Sequence, residues 1–145
     1  MNRIFAKAAG FVFATIVASP AFAGDPSGVW LRDTGTSKIQ IYKCGNAYCG
    51  KVVWLRDPID PATGKPKTDN KNPDASRHNR PLIGTQVILN MKPDGDDKWK
   101  GRVYAADEGK TYTGTMALVG ANTLNLAGCV LGGLICKTSK LTRSN

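Results

Sequence analysis

The sequence lacks the residue patterns that most enzymes use at their active sites. It contains one histidine, His78, and no Gly-x-Ser-x-Gly segment that would expose a nucleophilic serine. It has no glycine-rich phosphate loop, and Asp94, Asp96 and Asp97 cluster in a turn segment where solvation accounts for them. Since His78 has no nearby partner for metal binding other than Asp74, we interpret it as an exposed loop residue. We therefore assign no catalytic residue, cofactor or metal site, and expect a protein that is not an enzyme.

Long runs of basic residues are also missing, although the formal net charge is +9. The lysines and arginines are scattered singly, and no platform of alternating basic and aromatic residues is present. This pattern argues against nucleic-acid binding. A solvated basic surface explains the charge, and binding to an anionic component of the cell envelope is the alternative.

The one continuous apolar segment, residues 8–18, is too short to span a bilayer. The basic residues Arg3 and Lys7 precede it, and the small-x-small pattern Ala21-Phe22-Ala23 follows it. These are the three parts of a secretory signal peptide, with cleavage expected between Ala23 and Gly24 and the mature protein in the periplasm. A membrane anchor or an N-terminal core helix is the alternative. No cysteine follows the small residues to accept a lipid, so we expect no stable membrane anchor after cleavage.

The two predicted parts of the chain are a signal peptide, residues 1–23, and a single domain, residues 24–145. Loss of the signal peptide lowers the formal net charge to +7.

Four cysteines agree with export to an oxidising compartment. They allow three pairings, of which we favour Cys44 with Cys49 and Cys129 with Cys136, since each pair flanks an expected hairpin turn. A four-cysteine zinc site is the competing interpretation. Two features argue against it, the oxidising compartment and the six residues that separate the cysteines of the second pair.

Short runs of alternating apolar and polar residues recur along residues 24–145, with turn signals between them and no good amphipathic helix. They predict eight strands, at residues 28–33, 38–43, 50–55, 86–91, 98–105, 111–118, 123–129 and 134–141. Such a series favours an all-β fold, a small eight-stranded antiparallel up-and-down barrel, because closure removes the exposed sheet edges. A two-sheet sandwich is the alternative. An eight-stranded barrel has an interior that side chains fill or that holds one small ligand.

The segment from Asp57 to Ile83 interrupts this rhythm and is rich in Pro, Asp, Asn and Lys. Asp74 is placed to cap a short helical turn that runs to about Asn79, which would put Arg77 and Arg80 on one face. Two guanidinium groups on one face could bind a carboxylate or a phosphate. Alternatively, Arg77 and Arg80 pair with Asp74 and with carboxylates on the strands, and so fasten this long segment to the barrel.

Three aromatic residues complete the candidate ligand-binding set of Asp74, Arg77 and Arg80. They are Trp54, Tyr104 and Tyr112, which we expect in the barrel wall or core, where some could line a pocket.

Several motifs together resemble the bacterial family known as domain of unknown function 2147. The most specific is Asn72-Pro-Asp74 followed by Arg77-x-x-Arg80-Pro-Leu-Ile-Gly84. The others are Gly28-Val-Trp30, Cys44, Cys49-Gly-Lys51-Val-Val-Trp-Leu55, Trp99-Lys-Gly101, Tyr104, Asp107-x-Gly-Lys-Thr-Tyr112, Gly128-Cys129 and Cys136. The resemblance implies an exported protein with a lipocalin-like barrel, and it implies no settled activity. In lipocalin-like barrels an Arg from the last strand covers a Trp of the first, so the resemblance also implies a structural pair of Trp30 and Arg143.

Three functions remain open at this point. The first is a binding or accessory barrel that holds a small-molecule or envelope-derived ligand at its mouth and at the 57–83 segment. The second is a structural or protein-interaction module of the envelope with a filled barrel, and the third is an enzyme of unrecognised type. Room for a ligand inside the barrel separates the first from the second. The sequence leaves the ligand, the partner and the oligomeric state open.

Overall fold

The structure, a computed structural model, describes residues 9–16 and 24–144. Eight β-strands and two short 3-10 helices follow one another along the chain. The strands are β1 (Gly28–Arg32), β2 (Ser37–Cys44), β3 (Ala47–Leu55), β4 (Gln86–Pro93), β5 (Lys98–Ala105), β6 (Lys110–Gly120), β7 (Thr123–Val130) and β8 (Ile135–Ser144). Each strand pairs antiparallel with the next, and β8 pairs with β1 to close a barrel. The predicted eight-stranded up-and-down barrel is therefore confirmed.

The strand ends differ from the predicted ones by up to three residues. β3 begins at Ala47 and not at Gly50, because the β2–β3 ladder continues up to a two-residue turn with Cys44 opposite Ala47. β8 extends to Ser144, because its last residues pair with β1 across the closing seam.

Alternation along the strands decides which side chains form the core. In β2, for example, Ser37, Ile39 and Ile41 are buried, whereas Lys38 and Gln40 are only half-buried. The best-buried large side chains share one half of the barrel and belong to one hydrophobic cluster. This closed half consists of Trp30, Ile41, Ile88, Met91, Met116, Leu124 and Leu141.

One glycine marks a bend in the wall of the closed half. The β4–β5 register shifts between Leu89 and Lys92, and Asn90 there has a φ of 49°. Gly101 lies opposite this bulge, and a Cβ added to it would lie 2.6 Å from the carbonyl oxygens of both Leu89 and Asn90. The bulge therefore requires glycine at this position.

The disulfides join Cys44 to Cys49 and Cys129 to Cys136, the pairing that the spacing favoured. Each bridges a hairpin, β2–β3 in the first case and β7–β8 in the second. They lie at opposite ends of the barrel, and each fixes the register of two strands at the turn that joins them.

The predicted helical turn after Asp74 is present but shorter than expected. It is a 3-10 helix, Ala75–Arg77, and the Asp74 side chain caps it by accepting a hydrogen bond from the Ser76 amide. The prediction that the turn runs to Asn79 is wrong, and Arg80 lies outside it. The reason is that Arg80 belongs to a different local structure, in which its carbonyl oxygen accepts a hydrogen bond from the Asp69 amide.

Among the described residues, no helix has the length and apolar character needed to cross a membrane. Of the predicted signal peptide, residues 9–16 are described, whereas the expected cleavage motif Ala21-Phe22-Ala23 lies outside the described residues. Residues 9–16 form no helix or strand, and the side chains of Phe11, Val12, Phe13 and Ile16 are exposed.

Candidate functional site

One end of the barrel is sealed by Trp30 of β1 and Arg143 of β8, which are direct partners in the β1–β8 ladder. The guanidinium carbon of Arg143 lies 4.3 Å from the centre of the Trp30 ring, and Trp30 is fully buried. The Trp30 indole donates a hydrogen bond of 2.8 Å to the Pro26 carbonyl oxygen. The first strand and the segment before it are thus joined to the last strand, in the arrangement that the lipocalin-like resemblance implied.

Arg143 also ties three stretches of backbone together at this end. Its guanidinium donates to the carbonyl oxygens of Ser27 at 2.7 Å, Ala121 at 3.0 Å and Asp25 at 3.1 Å. A planar guanidinium has five donors, so it can stack on an indole and satisfy several carbonyls at once. Arg143 of β8 therefore links the segment before β1 to the β6–β7 connection at this end of the barrel.

The other end of the barrel is open, and a cavity of about 580 Å³ occupies the half of the interior next to this open end. It lies where β1, β3, β5 and β7 end, under the connections to the strands that follow. Its walls are mainly apolar and include Ile39, Val52, Leu55, Leu82, Val87, Val103, Leu126, Val130 and Ile135. A volume of this size is in the usual range for small-molecule sites, which are typically apolar with a few polar groups.

The polar groups of the cavity lie near its mouth. Three cations, Arg32, Lys67 and Lys137, and three carboxylates, Asp57, Asp107 and Glu108, contribute to its lining. Tyr112 of β6 lines the same mouth and donates a hydrogen bond to the Glu108 carboxylate, which raises the pKa of the Tyr112 hydroxyl. The mouth thus carries both signs of charge above an apolar interior.

A strongly apolar hairpin tip stands beside this mouth. Leu131 and Leu134 of the β7–β8 connection and Ile135 at the start of β8 are exposed, with Leu134 at 86%. The tip contains a 3-10 helix (Leu131–Gly133) in which all three residues have positive φ. The Cys129–Cys136 disulfide lies at the base of the tip.

The long segment between β3 and β4 folds against the outside of the barrel through one buried carboxylate, Asp69. This side chain is fully buried and accepts hydrogen bonds from the Tyr104 hydroxyl at 2.5 Å, from the Asn72 amide at 2.8 Å and from Arg80 Nε at 2.8 Å. Arg80 Nη2 lies 2.7 Å from the same carboxylate oxygen as Nε. Tyr104 is on the outer face of β5, so Asp69 fastens the segment to the barrel wall.

The ionisation of Asp69 reflects two opposed effects. Burial by itself raises its pKa, since it penalises the charged form. The hydrogen bonds from Tyr104, Asn72 and Arg80, together with the Arg80 charge, outweigh burial, and the pKa of Asp69 is lowered. Burial and the adjacent carboxylate raise the pKa of Tyr104. Asp69 is therefore a stable anion that holds three donors.

The six residues of the candidate ligand-binding set do not come together in one site. Tyr112 lines the cavity mouth, and Tyr104 borders the cavity but donates its hydroxyl to Asp69. Trp54 is on the outer face, 40% exposed, with the Lys38 ammonium 5.5 Å from its ring centre, and it does not line the cavity.

The charged members of the set face different partners. Arg77 pairs with Asp74 at 3.5 Å on the surface, whereas Arg80 pairs with Asp69. The expectation that Arg77 and Arg80 share a helical face is therefore wrong, because the 3-10 helix ends between them. The segment is fastened as the structural alternative predicted, but through Asp69 and Arg80. His78 is half-buried in this segment and not exposed as expected, because its ring turns back onto the segment, where Nε2 lies 2.6 Å from the Asn72 carbonyl oxygen.

Two residues central to this geometry, Asp69 and Arg32, were missed by sequence reasoning. A signal for Asp69 was present, since Tyr104 alternates with Lys98, Lys100 and Arg102 on the outer face of β5, where an aromatic residue needs a cover. Arg32 had a weaker signal, because it is two residues from Trp30 and hence on the same face of β1.

No group of three or more His, Cys, Asp or Glu side chains is placed to hold a metal ion within residues 9–16 and 24–144.

Comparisons with known proteins agree with this architecture. A solved structure described as "Protein HP1028 from the human pathogen Helicobacter pylori belongs to the lipocalin family" is similar, with a TM-score of 0.71, 20% sequence identity and 84% of each chain covered. At this identity the likeness establishes the fold alone. No curated protein matched the sequence. The family model for "Uncharacterized protein conserved in bacteria (DUF2147)" matches residues 28–143, which include all of the barrel except Ser144 at the end of β8. The chain therefore belongs to this bacterial family.

Proposed function

We propose that this protein is a non-catalytic binding barrel of the periplasm, which holds one small, largely apolar ligand in the open half of its interior. The observation that carries the proposal is the contrast between the two halves. The closed half is filled by side chains and sealed by Arg143, whereas the other half contains a cavity of about 580 Å³ that opens to solvent. Side chains that close-pack one half of a barrel could fill the other, so an open half points to a ligand.

The cavity also favours this function over the alternative of an envelope interaction module with a filled barrel. A protein that only presented an outer surface would gain stability from filling its core, because each apolar side chain packed there contributes about 1.5–3 kcal/mol. An unrecognised enzyme is less well supported. The mouth has no serine, threonine or cysteine paired with a histidine among the described residues, since the one histidine hydrogen-bonds on the outer segment.

Export is part of the proposal and has independent support. Four large apolar side chains within residues 9–16 are exposed and do not pack on the barrel, as expected for a segment that is not part of the mature fold. The two disulfides are stable in an oxidising compartment. The Gly24 nitrogen lies 2.6 Å from a carboxylate oxygen of Asp97. After cleavage before Gly24 this nitrogen would be an ammonium group, and the contact would become an ion pair.

Native mass spectrometry of the protein purified from periplasmic extract without reducing agent tests the proposal. We expect a chain that begins at Gly24, lacks four hydrogens for two disulfides, and carries a small adduct that is lost on denaturation. A chain that retains residues 1–23 would refute export. A bare protein that also fails to take up any apolar probe would refute the binding function.

A further inference from the structure

Three cations line the open cavity, Arg32, Lys67 and Lys137, and none of them forms an ion pair among the described residues. The one next to the barrel core is Arg32 of β1. It is two residues from the buried Trp30 and lines the cavity, so its side chain is directed into the barrel. None of the three ion pairs among the described residues includes Arg32. Among the described residues, its side chain makes one hydrogen bond, which Nη2 donates to Ser139 Oγ at 3.3 Å.

The position of Ser139 shows that this arrangement belongs to the cavity wall. Arg32 is opposite Leu141 in the β1–β8 ladder, and Ser139 is two residues before Leu141 on the same inward face of β8. Lys137, two residues further, also lines the cavity. One wall of the mouth therefore presents a guanidinium, a hydroxyl and an ammonium group in a diagonal row across two paired strands.

The carboxylates of the mouth have other partners or lie elsewhere. Asp57 pairs with the adjacent Arg56 at 3.2 Å, and Glu108 accepts the hydrogen bond from Tyr112. Asp107 and Glu108 belong to the β5–β6 turn, whereas Arg32 is at the β1–β8 seam, which is far from that turn around the barrel. No carboxylate of the described residues comes within 4.0 Å of the Arg32 guanidinium.

An unpaired cation in this position selects its ligand by charge. In the open cavity, solvent that enters through the mouth hydrates the guanidinium. A ligand that fills the cavity removes this water, and a neutral ligand would leave a desolvated charge without a partner, which is costly. An anionic group removes the cost, because it accepts two hydrogen bonds from the guanidinium fork and one from Ser139.

We propose that the ligand is an amphipathic anion, whose carboxylate or phosphate monoester group binds Arg32 and Ser139 and whose hydrocarbon part lies against Ile39, Val52 and Leu126. This inference rests on the proposed binding function and specifies the ligand class for the same cavity. Lys137 is placed to add a second positive charge at the anionic group.

Calorimetric titration of the mature, disulfide-intact protein with dodecanoate, dodecyl phosphate and dodecanol tests the proposal. The three share a twelve-carbon chain and differ only in the head group. We expect both anions to bind at least tenfold more tightly than dodecanol, a difference of 1.4 kcal/mol. The tighter of the two anions identifies the head group as carboxylate or phosphate.

Substitutions on β1 and β8 show whether the positive charge of Arg32 determines the affinity for the anions or whether a change in folding does. Arg32→Met should weaken binding of the anions at least tenfold and leave dodecanol within twofold, and Arg32→Lys should fall between wild type and Arg32→Met because it keeps the charge but not the fork. Lys140→Met is the matched control, since Lys140 lies beside Ser139 on β8 but is exposed on the outer face. It removes one positive charge and should leave all three affinities unchanged. Melting temperatures of the variants show whether each is folded.

Two results would overturn the inference. The first would leave the proposed binding function standing, and the second would refute that function as well. Equal affinity for dodecanoate and dodecanol, unchanged by Arg32→Met, would refute the anion and leave the binding cavity intact. No binding of any of the three, together with no retained ligand in native mass spectrometry, would refute the binding function itself.

Discussion

The buried carboxylate Asp69 gives the sharpest prediction about stability. In Asp69→Ala, the Tyr104 hydroxyl and the Asn72 amide lose their acceptor, and both residues are 7% exposed. A buried polar group left without a partner costs about 1–3 kcal/mol. Arg80 loses its partner too, but a third of its side chain is exposed, so water replaces the carboxylate there. The two buried groups left without a partner together predict a loss of about 2–6 kcal/mol in the free energy of unfolding.

The loss is expected to be local in structure. The 57–83 segment contributes no strand to the barrel, so Asp69→Ala should keep the β-sheet circular dichroism of the wild type while the segment becomes accessible to protease and to hydrogen exchange. Urea unfolding measures the loss, and Asp57→Ala is the matched control. Asp57 lies in the same segment and makes only an exposed ion pair with Arg56, so its removal should cost less than about 1 kcal/mol. Equal costs for the two substitutions would refute the assignment of Asp69 as the residue that fastens the segment.

The pH dependence gives a second, independent check on Asp69. Because its pKa is lowered in the folded protein, the carboxylate contributes stability that is fully present above the unfolded value of about 3.9 and is lost as the pH falls through the lower folded pKa. Asp25 and Asp74 also have lowered pKa values, so the wild type alone does not isolate Asp69. The difference in unfolding free energy between wild type and Asp69→Asn should be constant from pH 7 to about 4 and shrink below that. A difference that does not change down to pH 2 would contradict the account.

Three further predictions concern the barrel itself. Arg143→Lys should lower the free energy of unfolding by about 2–3 kcal/mol in urea titrations. The reason is that an ammonium group cannot stack on Trp30 and reach three carbonyl oxygens as the guanidinium does. A loss under about 0.5 kcal/mol would mean that Arg143 does not stack on Trp30. Replacing Cys129 and Cys136 together by alanine should cost about 2–3 kcal/mol, as expected for a disulfide that closes a short loop, with no change expected in the number of protected strand amides. Gly101→Ala should destabilise the barrel by about 1–3 kcal/mol, because its Cβ would contact the carbonyl oxygens of Leu89 and Asn90, whereas Gly120→Ala, which has open space at the Cβ position, should be neutral within about 0.5 kcal/mol. Equal thermal shifts for the two glycine variants would contradict the close approach at the bulge.

The fold was predictable because its determinants are local in the sequence. Alternation places Ile39 and Ile41 inside and Lys38 outside whatever the rest of the chain does, and the cysteine pairs flank their own hairpin turns. Eight such runs without a helix leave few ways to cover the apolar face, and closure is the one that removes the sheet edges. The ends of β3 and β8 were less predictable, since they depend on ladder partners distant in sequence.

The site was much less predictable, because it depends on which side chains fail to fill the interior. The sequence shows that Val52, Val103 and Leu126 face inward, but not that they leave a cavity between them while Met91 and Met116 fill the other half. Similarly, Arg77 and Arg80 have helical spacing, but in the structure Arg80 pairs with Asp69 and does not share a face with Arg77. Asp69 is buried because the whole segment docks on the barrel, which the spacing of the arginines does not show. Arg32 is a candidate ligand-binding residue because its guanidinium has no carboxylate nearby among the described residues. Only the folded barrel determines this.

The most direct test of the binding cavity is to fill it with a side chain. Leu126→Trp adds an indole to the cavity wall, whereas Thr115→Trp, on the exposed outer face of β6, adds the same group to the surface. Fluorescence titration with the neutral apolar probe N-phenyl-naphthylamine measures occupancy of the cavity in both variants and in the wild type. We expect Leu126→Trp to remain folded and to bind the probe at least tenfold more weakly, with Thr115→Trp equal to the wild type, since a tenfold loss corresponds to 1.4 kcal/mol. Equal binding by a folded Leu126→Trp would show that the open half of the barrel is not the binding site.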